Sequence, residues 1–70
     1  MRLSTRNQLR GTIDAIDLGA IMATVRIRLD GGDQIVTAAI TKDAVADLGL
    51  EVGQPAVALV KSTEVMIGVE

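Results

Sequence analysis

Cysteine and histidine are both absent from these 70 residues, and so are phenylalanine, tyrosine and tryptophan. Without Cys there is no disulfide framework, and the redox surroundings are left open. Without His, the commonest general base and the commonest metal ligand are missing. With thiolates absent as well, a zinc site has no ligand set. Without aromatic rings there is no platform on which nucleic-acid bases could stack. Positive charge is also scarce: 7 Lys and Arg stand against 9 Asp and Glu, for a net charge of -2. That gives no broad electrostatic footprint for nucleic acid, and any anion site must be local. No run approaches the roughly 18 apolar residues of a membrane span. The opening Met1-Arg2-Leu3 leads into polar residues rather than the apolar core of a secretory signal. The chain is therefore expected to be soluble and cytoplasmic. It is also expected not to be an enzyme, because no nucleophile–base or acid–base constellation exists.

What the chain does have is apolar surface. Hydrophobic residues make up 49% of it. Residues 1–70 form a single domain, and one this small buries only about 60% of its unfolded surface. So much apolar area cannot be hidden in one small core, and partner subunits are expected to cover the remainder.

The pattern along the chain is mainly β. A first strand runs from Thr12 to Leu18, or starts as early as Asn7, and breaks at Gly19-Ala20. Ile21 to Leu29 alternates, with Ile21, Ala23, Val25, Ile27 and Leu29 on one face. Asp30-Gly31-Gly32-Asp33 is a hairpin turn, and Gln34 to Ile40 returns from it. A short helix follows up to Leu48, with Thr41 as its N-cap and Asp43 in its first turn. Gly49 suits the left-handed position that closes such a helix, and Leu50 the apolar contact beyond it. Ala56 to Val60 reads as strand four and Val65 to Val69 as strand five. Three strands, one helix and two strands is the order of an all-β, five-stranded OB-like barrel with its helix between strands three and four. Strands three to five are apolar on both faces, so one face is expected to lie between subunits.

Three polar motifs stand at the edges of these strands: Ser4-Thr5-Arg6-Asn7-Gln8, Thr41-Lys42 and Lys61-Ser62-Thr63. A solvated N-terminal tail, a helix cap and a strand-end turn are the plain structural readings of the three taken singly. Together they offer the planar fork of Arg6, the compact charge of Lys61, and several hydroxyl and amide groups. Those are the means to hold a small oxyanion by charge-assisted hydrogen bonds. Arg26 and Arg28 lie on the polar face of strand two and read as solvated or ion-paired. Met22 and Met66 read as packing residues.

The same motifs resemble the molbindin family of small molybdate-binding proteins. Ser4-x-Arg6-Asn7-Gln8-Leu9-x-Gly11 is similar to the family's opening motif, and Ile40-Thr41 to its second element. Val60-Lys61-Ser62-Thr63-x-Val65-Met66-Ile67 is similar to its closing motif, and Gly49-Leu50-x-Val52-Gly53 also fits. Thr5 stands where the family commonly has Ala. The resemblance spans essentially the whole chain. It implies an OB-like fold assembled as a homohexamer, a trimer of dimers. It also implies molybdate storage and homeostasis, with tungstate as the alternative anion, bound between subunits without a cofactor. Ser4 and Arg6 of one subunit and Lys61 and Ser62 of another would contact the anion, and Thr41 would complete the shell. Asn7 would serve a second class of site or hold the N-terminal strand. Composition and spacing alone lead to an oligomer and an oxyanion; molybdenum comes only from the resemblance. An OB-type nucleic-acid module and a ligand-free assembly module are the alternative readings.

Overall fold

A computed structural model describes residues 1–70. Its strands are β1 (Asn7–Leu18), β2 (Met22–Leu29), β3 (Ile35–Thr41) and β4 (Pro55–Val60), with helix α1 (Lys42–Leu48) between β3 and β4. The four strands form one antiparallel sheet in the order β3-β2-β1-β4. First, second and third strands are therefore a meander, and β4 returns to the free edge of β1. The two edge strands then flank a common groove. Val36, Ala38 and Ile40 of β3 line one side, and Ala56, Ala58 and Val60 of β4 the other, so the sheet is curled.

Alternation along β2 sets the inner face. Ala23, Val25 and Ile27 are buried, and with Ile13, Val45 and Ala58 they make up the core. Ile21, expected at the head of this strand, lies outside it and is 75% exposed; its carbonyl accepts from the Lys42 amide at 2.7 Å.

Strict alternation would turn Asp14 and Asp17 to opposite faces of β1. A bulge between Ile13 and Ala15 shifts the register by one residue, and the strand's facing reverses there. Ile13 and Ile16 can then both pack toward the core. Asp14 and Asp17 both reach outward, where they pair with Arg28 at 2.6 Å and Arg26 at 2.7 Å. Both ion pairs are exposed and contribute roughly 0–1 kcal/mol each.

Gly11 is buried where β1 passes closest to β2, opposite Leu29. A Cβ there would collide with the Arg28 carbonyl and lie 2.8 Å from Ile27 Cγ2. Backbone cannot yield as a side chain can. Gly11→Ala is therefore expected to cost about 2–3 kcal/mol, read as a lower urea midpoint at unchanged slope.

Helix α1 has seven residues, too few to persist by propensity alone. Thr41 caps it: its Oγ1 accepts from the Ala44 amide at 3.0 Å, and Asp43 sits in the first turn. Val45 anchors it to the core. Gly49, at φ 62°, closes it. The Gly49 amide donates to Ala46 and the Leu50 amide to Val45, both at 3.1 Å. That is the paired ending expected of a left-handed glycine followed by an apolar residue.

The fifth strand expected over Val65–Val69 does not form. A single 3-10 turn, Ser62–Glu64, follows β4, and residues 65–70 are neither strand nor helix. Val65, Met66, Ile67 and Val69 are 52%, 92%, 91% and 91% exposed. The corrected architecture is a mainly β, four-stranded curled sheet with one helix, open along one side. An apolar run of β-favouring residues reports a need for burial, but a strand also needs an unpaired edge beside it. Within one chain the tail lies along neither edge.

Candidate functional site

The β1–β4 ladder decides where the polar motifs lie. Its last register pair is Asn7 with Val60. Because the strands are antiparallel, the chain before Asn7 and the chain after Val60 leave from the same end of the sheet. Ser4 and Arg6, ahead of Asn7, and Lys61 and Ser62, after Val60, therefore leave from that one end within one chain. Thr41 is not. It pairs with Met22 near the opposite end of the meander. Those ends are separated by the length of β1, twelve residues, whose path is at most about 36 Å at roughly 3.3 Å per step. The Thr41 Oγ1 also accepts its helix-capping bond, which leaves the hydroxyl hydrogen free to donate.

The cations at the shared end make no ion pair. Arg26 and Arg28 are the only cations in ion pairs, so neither Arg6 nor Lys61 is engaged by a carboxylate. Both are exposed, as are Ser4 and Ser62. Asn7 is half-buried, and its Nδ2 donates to the Val60 carbonyl at 3.1 Å. Gln8, which the motif reading left without a role, donates from Nε2 to the Thr5 carbonyl at 2.9 Å. Lys61 itself opens the 3-10 turn, its carbonyl accepting from the Glu64 amide at 2.9 Å. Two cations, two hydroxyls and an amide thus stand at one rim, with no acid–base pair among them. Such a set offers an anion charge-assisted hydrogen bonds.

Residues 3–67 match the TOBE domain family. The chain belongs to the TOBE domain family. Among the relatives of this TOBE domain is a probable molybdenum-pterin-binding protein of Haemophilus influenzae, 43% identical over 70 residues that cover 100% of both chains. Among solved structures, the apo form of MopII from Clostridium pasteurianum superposes with a TM-score of 0.90 at 37% identity, covering 97% of this TOBE domain and 100% of that chain. The cytoplasmic molybdate-binding protein ModG, in a form with molybdate bound, superposes with a TM-score of 0.92 at 46% identity. That match covers 100% of this TOBE domain and 49% of the ModG chain. The TOBE assignment and these superpositions place the four-stranded sheet with its single helix among mainly β, OB-like folds.

Proposed function

We propose that this domain binds molybdate reversibly and without catalysis, with tungstate as the alternative anion. Its role is storage and homeostasis of the anion in the cytoplasm. The observation that carries this reading is the β1–β4 register. By ending at Asn7 and Val60, it brings two carboxylate-free cations, Arg6 and Lys61, to one rim beside Ser4 and Ser62. A tetrahedral dianion accepts several hydrogen bonds and needs its charge met locally, and this rim can meet both needs. The choice of anion rests on the relatives, described as molybdenum-pterin-binding or molybdate-binding proteins. The cytoplasmic location rests on the description of ModG.

The domain works as a homo-oligomer, and the hexamer built as a trimer of dimers is the assembly the resemblance implies. Only 7 of 70 residues are buried in the single chain. The apolar tail Val65–Val69 and the groove between β3 and β4 are complementary needs: a strand without an edge, and two edges without a strand. Of the groove's 14 lining residues, 13 are hydrophobic. The tail of one copy completes the barrel of another as its fifth strand. Donors of different copies then share one anion, and Thr41 joins from a copy other than the one that supplies Arg6.

Titration calorimetry with sodium molybdate, tungstate and sulfate tests this directly. Molybdate at a hundred times its dissociation constant is expected to stabilise the fold by about 2.7 kcal/mol, visible as a higher melting temperature. A melting temperature that ignores millimolar molybdate would overturn the proposal.

A further inference from the structure

Two side-chain amides hold the backbone immediately before each cation. Asn7 Nδ2 ties β1 to the carbonyl of Val60, the residue before Lys61, at 3.1 Å. Gln8 Nε2 ties β1 to the carbonyl of Thr5, the residue before Arg6, at 2.9 Å. The two are adjacent on one strand, so both cations are referenced to the same short piece of β1. The Gln8 bond is also the only hydrogen bond that holds any of residues 1–6, since that segment lies outside the sheet and joins no turn or cap.

We infer that Asn7 and Gln8 are positioning residues of the oxyanion rim: Asn7 sets Lys61, Gln8 sets Arg6, and neither has to touch the anion. The inference rests on the proposed function, in which Arg6 and Lys61 are the anion's donors. Its physical basis is preorganisation. A guanidinium carried on a free tail must be ordered when the anion arrives, and that cost is subtracted from affinity. One held in register beforehand keeps its full hydrogen-bond gain. Both amides are neutral, so their removal leaves the charge of the rim unchanged. An account of binding by charge alone therefore predicts no effect from losing them.

Gln8→Met separates the two accounts, because it keeps the length of an exposed side chain, removes the donor and adds no charge. Calorimetry of the full chain with sodium molybdate is expected to show affinity lowered roughly tenfold, in the range seen when the outer support of a bound ion is removed. The melting temperature without ligand should match wild type. The dependence of affinity on salt should also keep its wild-type slope, because the number of charges meeting the anion is unchanged; Arg6→Ala should flatten it. Asn7→Leu should weaken binding in the same way, again without changing the salt slope. Wild-type affinity in Gln8→Met overturns the inference, and so does a loss fully matched by a fall in ligand-free stability. If Arg6→Ala fails to bind while Gln8→Met binds normally, the function stands and this inference falls. If the wild-type chain takes up no molybdate, both fall together.

Discussion

Replacing Lys61 or Arg6 by alanine is expected to lower molybdate affinity by about 10- to 150-fold each. Hydrogen bonds to charged groups contribute roughly 1.5–3 kcal/mol, and each 1.4 kcal/mol is about a factor of ten. The effect should be large because the surrounding field is unfavourable: the chain carries a net charge of -2, so no general positive potential replaces a lost donor. The double variant should lose less than the product of the two, since a dianion deprived of one cation already sits poorly on the other. Arg26→Ala is the control. Its guanidinium is paired with Asp17 at 2.7 Å on the outer face of β2, and its loss should leave molybdate affinity where it was. Calorimetry on the three single variants decides the matter, and wild-type affinity in either Arg6→Ala or Lys61→Ala would remove that residue from the site.

Deletion of residues 65–70 is expected to reduce the assembly to smaller species. Fully burying Val65, Met66, Ile67 or Val69 is worth roughly 1.5–3 kcal/mol per side chain. Ordering the backbone that carries them costs about 1–2 kcal/mol per residue. For one tail the two sums nearly cancel, so the margin comes from the apolar groove that the tail covers and from the return exchange by the second copy. A balance that close tips easily. Ile67→Lys, which keeps the backbone and places a charge in the groove, should act almost as strongly as the deletion. Light scattering after size separation reads both outcomes directly. An unchanged mass in the deleted chain would show that the tail plays no part in assembly. Molybdate affinity should fall along with the mass, because the donors of one copy would lose their counterparts on the next.

Much of this architecture was legible in advance. The β2 alternation, the Asp30–Asp33 turn and the helix from its Thr41 cap to its Gly49 ending each depend on residues a few positions apart. Local periodicity and backbone preference suffice for them, and they stand within a residue or so of where they were expected. The Asp14 bulge was not legible, because nothing in the side chains around it distinguishes a reversal of facing from ordinary alternation. Gly11 carried a faint signal: a glycine inside a strand pattern often marks a close backbone approach. Arg6 and Lys61 could be picked out by type and motif, but their meeting at one rim depends on which strand β1 pairs with.

By itself the sequence determined that no disulfide can form, the order of three strands, helix and fourth strand, the short helix with its two caps, and an apolar surplus too large for one small core. It also named the polar motifs. Only the tertiary structure decided that β4 pairs with β1 and that Asn7 faces Val60, which brings two motifs 53 positions apart to the same end and leaves Thr41 at the other. It alone decided that the last apolar run has no edge in its own chain. The reason is the same in both cases. Side-chain type and period record what a segment needs, whereas strand partners are chosen by long-range contacts between segments whose separate patterns say nothing about one another.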